Sequence, residues 1–181
     1  MSSAYAKQEH DMQPGEAPKQ GLEVGDDLLF DLESALEEDQ GLQRHTVLVG
    51  DIGLVLPVDE VSELIEKVAV CQLPNTQAWF NGVTSIRGNM IPVFDLHELF
   101  SIEPPTASRR LIVVGQNETA AAFWVDDFPR LLVFAEEEIT TNEPSIPSLL
   151  RKHARQYFLQ DGKTWVEWDF KSFFATLGEQ L

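Results

Sequence analysis

At 181 residues the chain has the length of one domain with a sizeable core, or of two small ones. Its 30 acidic residues against 13 basic ones give a formal charge of −17. That balance argues against nucleic acid, whose phosphates demand Lys and Arg, and against an anionic membrane surface.

Residues 1–40 hold 11 acidic and 2 basic residues among Gln, Pro, Gly and Ser. So little apolar surface does not offset the entropy of ordering, and an acidic, disordered arm is expected. Within it, Leu28, Leu29, Leu32, Ala35 and Leu36 recur at helical spacing behind Asp26 and Asp27, which suits a short amphipathic helix at 26–37. Such a helix either docks a partner or packs on the chain's own core. The N-terminus lacks a basic flank followed by an apolar run, so no signal peptide is expected. No apolar stretch reaches the ~18 residues of a membrane span, and the expected location is the cytoplasm, without membrane insertion.

From His45 onward strand signals dominate. Segments 45–49 and 53–58 flank a Gly-Asp-Ile-Gly turn as a hairpin would. Segment 61–68 is ambiguous. Val61, Leu64, Ile65 and Val68 have helical spacing, yet they lie between two expected strands. The lone Cys71 excludes an internal disulfide framework and reads as a small buried hydrophobe.

The most informative stretch is 73–100, LPNTQAWFNGVTSIRGNMIPVFDLHELF. An aromatic pair (Trp79, Phe80), a glycine (Gly82) and a short apolar strand lead to a tight Arg87-Gly88-Asn89 turn, a second strand, and a helix opened by Asp95 with Glu98 three residues on. An arginine at such a bend cannot bury its charge unpaired. Arg87 is therefore solvated, bonded to turn carbonyls, or paired with a carboxylate such as Glu60 or Glu63. Trp79 and Phe80 are either core or the edge of an exposed patch, where Trp and Arg are common anchors.

Pro104-Pro105 marks a break, after which 110–114 and 120–125 form a second hairpin pattern, continued by a strand at 128–134. Pro144 and Pro147 bracket a loop before a short helix at 148–155. There Arg151, Lys152, His153 and Arg155 cluster, either as the cationic end of a solvated helix or as a contact for an acidic partner or the arm. Asp169 caps a last helix with Phe170, Phe173, Phe174 and Leu177 on one face, and Gly178 ends it.

The later half echoes the earlier one. Gly88 to Phe100 lines up without gaps against Gly162 to Phe174, with an aspartate seven residues after each glycine. Val58-Asp59-Glu60-Val61 is echoed by Val125-Asp126-Asp127-Phe128. Two related halves, each a small β unit, account for both.

No catalytic residue, cofactor site or metal site emerges. His10, His45, His97 and His153 are scattered without metal-ligand spacing. Asp95 and Asp169 read as helix caps, and Asp59 and Asp126 as turn residues. Ser85 lacks a nucleophile elbow.

The run LP-x4-WFNGVTSIRGNMIPVFDLHELF resembles the signature hairpin of CheW-like domains, coupling proteins of bacterial chemosensory arrays. Val61-Ser-Glu63-Leu-Ile and Val125-Asp126 match further segments of that family, and Trp168-Asp169-Phe170 stands where it has Leu-Asp-Leu. The resemblance covers roughly 45–178 and leaves the arm aside. It implies a mainly β fold of two small five-stranded SH3-like barrels side by side, with short helices, in a domain at 41–181. The first barrel would span about 45–100, the second about 108–170 and the C-terminal helix about 169–178, with 61–68 mostly strand. It also implies a non-catalytic adaptor that binds the cytoplasmic tip of a methyl-accepting chemoreceptor and the regulatory domain of a CheA-like histidine kinase, in chemotaxis or twitching motility. By the same resemblance Glu63 and Arg87 form a carboxylate–arginine pair on the receptor face, with Gly82 at that contact and Ile65 and Val83 bordering it. Within the family, the Trp79 region and the sparse basic content are closest to the PilI type of the type IV pilus pathway. The alternative is a localisation or assembly adaptor that works through the acidic arm.

Overall fold

A computed structural model describes residues 41–181, so the acidic arm and its candidate helix at 26–37 lie outside the described residues. The first half contributes β1 (Leu42–Val49), β2 (Ile52–Val55), β3 (Ser62–Ile65), β4 (Phe80–Ile86), β5 (Asn89–Phe94) and helix α1 (Leu96–Phe100). The second contributes β6 (Arg110–Val114), β7 (Ala121–Val125), β8 (Arg130–Phe134), β9 (Ile139–Thr140), α2 (Ser148–Lys152), β10 (Ala154–Gln160), β11 (Lys163–Trp168) and α3 (Phe170–Gly178). The fold is mainly β, with two mixed sheets and a few short helices.

The local signals produce these elements for identifiable reasons. Arg87-Gly88 and Asp161-Gly162 both place two successive residues at positive φ, at 50° and 84° and at 52° and 71°. That is the backbone of a two-residue hairpin turn whose twist matches its strands. Asp95 starts α1 by accepting from the N–H of His97 and of Glu98, and Asp169 starts α3 by accepting from Ser172 N–H at 3.1 Å. Segment 61–68 contains β3, paired antiparallel with β6, so its helical spacing is overridden by a partner strand some fifty residues away. The helix expected at 148–155 stops at Lys152 because Ala154 begins pairing with Trp168.

The sheets do not follow the halves of the chain. One has six strands in the order β8-β1-β2-β11-β10-β9, the sixth being the two-residue β9; the other has five, β3-β6-β7-β5-β4. Neither sheet is therefore drawn from 45–100 or from 108–170 alone. Each barrel takes one hairpin from the other half, β1–β2 in the first case and β6–β7 in the second. The parallel pairs β2–β11 and β5–β7 are the joins. If β1, β2, β3, β4 and β5 are matched with β6, β7, β8, β10 and β11, the two orders become the same. The duplication is therefore real at the level of topology, with the hairpins exchanged.

Burial explains the exchange. All four residues of β2 are buried, as are Leu111, Ile112, Val113 and Val114 of β6. A strand hidden on both faces needs a barrel interior on one side and a second core on the other. Leu111 and Val113 face the five-stranded barrel with Ile91 and Val93, while Ile112 and Val114 face a core shared by both barrels. Aromatic rings dominate that shared core. Phe94 and Phe174 lie 4.7 Å apart between centroids, and Trp168 and Phe173 4.9 Å. Trp168 also donates from Nε1 to the buried Val55 carbonyl at 3.1 Å.

The five-stranded barrel is closed by the chain that follows β3. Cys71 and Val83 exchange backbone hydrogen bonds of 2.8 and 3.0 Å, and Thr84 Oγ1 donates to the Ala69 carbonyl at 2.9 Å. Cys71, expected to be a small buried hydrophobe, is exposed, because its backbone and not its side chain serves the packing.

Candidate functional site

The barrel closure brings β3 and the β4–β5 turn together although they stand at opposite ends of the sheet order. Glu63 lies on β3 and Arg87 at the turn, and Arg87 Nη2 donates to Glu63 Oε1 at 2.7 Å. The Arg87 side chain remains 74% exposed and that of Glu63 33%, so most guanidinium donors still face solvent. Of the three fates open to Arg87, pairing with Glu63 is the one adopted. Glu60 instead pairs with Lys171 on α3.

The other candidates lie on the same barrel with different orientations. Gly82, on β4, has φ +121°, and a Cβ there would stand 2.1 Å from the Cys71 carbonyl oxygen. No side chain fits, so Gly82 is required by the close approach of the closing segment. Val83 pairs with Cys71 and packs beside Trp79 against the shared core. Ile65 packs against the core of the five-stranded barrel. Trp79 is half-buried and stacks on Phe94, and Phe80 is buried. Beside the Glu63–Arg87 pair runs a groove whose polar lining comes from Asn89, Gln116 and Asn117. Sequence reasoning did not assign these amides to the site, and it read Cys71 as a small buried hydrophobe. The one available signal was the Gly115-Gln-Asn turn, where Asn117 has φ +53°.

Three of the four members of the basic cluster in the second half, Arg151, His153 and Arg155, have partners within the chain. Arg151 donates to the Pro144 and Ile146 carbonyls, Arg155 pairs with Asp169 at 2.8 Å, and His153 lies 3.1 Å from Ser172 Oγ.

A second polar cluster, which the sequence did not reveal, is buried. Asp95 accepts from Arg109 Nη1 at 2.9 and 2.8 Å. Burial pushes the Asp95 carboxyl up, but hydrogen bonds to His97 and Arg109 outweigh it and hold the group at about 2, below its ordinary 3.8. His97 is 1% exposed and contacts Asp126. Among the described residues, the ring partners of this histidine are Asp126, Arg109 and Asp95, with no hydroxyl or thiol bonded to it. Among the described residues, no group of three or more His, Cys, Asp and Glu side chains is placed to hold a metal ion, and no helix is long and apolar enough to cross a membrane.

A family model described as CheW-like domain matches residues 44–176. Protein PilI of Pseudomonas aeruginosa is 28% identical over 114 residues, 62% of this chain and 64% of PilI. Chemotaxis protein CheW of Helicobacter pylori is 24% identical over 105 residues, 57% of this chain and 64% of that protein. The chain thus spans somewhat less than two thirds of the length of these relatives. The crystal structure of scaffolding protein TtCheW from Thermoanaerobacter tengcongensis has the same fold. It matches with a TM-score of 0.62 at 22% identity, over 78% of this chain and 97% of that one.

Proposed function

Because this chain belongs to the CheW-like family, we propose that it is a non-catalytic adaptor coupling a chemoreceptor's cytoplasmic tip to the regulatory domain of a CheA-like histidine autokinase. The observation that carries the reading is the Glu63–Arg87 pair, held at 2.7 Å on the exposed end of the five-stranded barrel. An ion pair this exposed contributes little to stability, about 0–1 kcal/mol. Arg87 also pays for a left-handed backbone at φ +50°. A residue that adds so little to folding, yet keeps a planar set of donors in solvent, suits recognition of a partner's carboxylates or carbonyls. Glu63, Ile65, Gly82, Val83 and Arg87 form the receptor face in this reading. Glu63 and Arg87 make contacts, while Gly82, Val83 and Ile65 shape the surface. The similarity to PilI favours twitching motility as the output.

Three measurements test the proposal. Arg87→Glu is expected to leave the circular dichroism spectrum unchanged and to abolish binding of the receptor tip. Retained binding refutes the assignment, and lost structure makes the arginine a folding residue. Cys71 is the one thiol of the chain, is exposed, and lies against Gly82 and Val83. Saturating receptor tip should therefore slow its alkylation, and an unchanged rate would place the receptor elsewhere. Titration with the kinase regulatory domain should show micromolar or tighter binding, about 8 kcal/mol or more.

A further inference from the structure

Where the two barrels meet, the contact is not wholly apolar. His97, on α1, is almost completely buried, among charged groups drawn from neighbouring segments. Its Nε2 stands 2.6 Å from Oδ1 of Asp126, just past β7. A carboxylate only accepts, so the Nε2 proton points at Asp126. Nδ1 faces Arg109 Nη1 at 3.5 Å and Asp95 Oδ1 at 3.6 Å. Arg109 in turn lies 5.5 Å from the centroid of the Trp124 ring.

Asp126 joins the two barrels directly. It follows a strand of the five-stranded sheet, yet its backbone N–H donates to the Leu48 carbonyl of β1 at 2.9 Å. Its Oδ2 accepts from Gly50 N–H, in the β1–β2 turn of the six-stranded sheet, at 2.8 Å. That turn is pressed against the chain leaving α1. A Cβ on Gly50, whose φ is +59°, would come within 2.4 Å of Ile102 Cγ2. One side chain is thus bonded at once to α1 of one barrel and to a turn of the other.

The corresponding joint in the other half is built differently. In the gapless echo Lys171 takes the place of His97, and it pairs with Glu60, next to Asp59, the counterpart of Asp126. Lys171 is about half exposed, and such a pair contributes little. Apolar burial in the shared core holds the barrels together without directional preference. Buried, directional bonds to a carboxylate are costly to break and so select one arrangement.

We propose that Asp126 and His97 form an inter-barrel latch, positioning residues that fix the orientation of the six-stranded barrel on the five-stranded one. The latch presets the angle between the Glu63–Arg87 end and every surface of the six-stranded barrel, so a partner that touches both finds them already aligned.

Electron–electron distance measurement on the full chain tests it. Spin labels go on the native Cys71, beside the five-stranded barrel, and on Asp161→Cys in the exposed β10–β11 turn. The unaltered joint should give one narrow distance. His97→Asn, too short to reach Asp126, should broaden or shift it. His97→Gln, whose amide nitrogen reaches about as far as Nε2, should restore it. Gly50→Ala, which pushes the turn off Ile102 and draws its N–H away from Asp126, should also shift it. A narrow, unchanged distance in folded His97→Asn overturns the latch, as does a His97→Gln distribution as broad as that of His97→Asn. Should His97→Asn fail to fold, an unshifted distance in Gly50→Ala overturns it equally.

Discussion

Replacing Gly82 by alanine asks whether the barrel closure sets the shape of the proposed receptor face. The added Cβ would stand 2.1 Å from the Cys71 oxygen, 2.8 Å from its carbonyl carbon and 2.9 Å from Gln72 Cα. All three are backbone atoms, so no rotamer relieves the contact, and φ +121° is a conformation that L side chains rarely adopt. The chain can yield only by parting β4 from the closing segment, which loses the two Cys71–Val83 hydrogen bonds. Strain of about 1–3 kcal/mol and two backbone bonds at about 1 kcal/mol each give a loss of about 3–5 kcal/mol. That is a large share of the ~5–15 kcal/mol that stabilises an ordinary domain. Gly88→Ala is the control. Its φ is +84° but nothing lies within 4 Å, so only the conformational cost of about 1–2 kcal/mol remains. Urea unfolding followed by tryptophan fluorescence measures both, and alkylation of Cys71 should quicken in Gly82→Ala alone. Equal losses in the two variants, or a loss below about 0.5 kcal/mol in Gly82→Ala, would refute the clash. A confirmed loss would mean that weakened receptor binding in Gly82→Ala reflects altered shape and not a lost contact.

Acid should reveal the Asp95–Arg109 pair. The folded Asp95 carboxyl sits at about 2 and its ordinary value is 3.8, so its stabilisation is full above pH 4 and drains away as pH falls through 2. For a group this buried the shift amounts to about 2 kcal/mol. The stability gap between the native chain and Asp95→Asn should narrow by about that much between pH 5 and pH 2. A gap independent of pH removes the ion pair as its source. The strand exchange makes a different kind of prediction. Fragments 41–104 and 105–181 should each be unfolded alone by circular dichroism and regain β structure on mixing, since each barrel needs a hairpin from the other fragment. A fragment that folds alone would contradict the exchanged topology. The Arg87→Glu and latch experiments described above complete the set.

The sequence by itself determined what depends on neighbours along the chain. Turn glycines, the Asp95 and Asp169 caps and the alternating strands rest on contacts a few residues apart, and the echo of 88–100 by 162–174 is read from residue identity alone. Even the Arg87–Glu63 pairing was among the options that burial cost allowed. Tertiary structure decided the rest. Which sheet β1–β2 joins depends on a parallel pairing of β2 with β11, more than a hundred residues later, and both hairpins have the same local pattern. Residues 62–65 of segment 61–68 became a strand because β6 lay beside them, and Cys71 stayed exposed because Gly82 let its backbone come close. Asp126 looked like a turn residue because its partners, Gly50 and His97, lie 76 and 29 residues away. Periodicity reports how a residue faces its own element. It carries no record of what another element will place opposite, and the barrels, their exchange and the latch are all arrangements of that second kind.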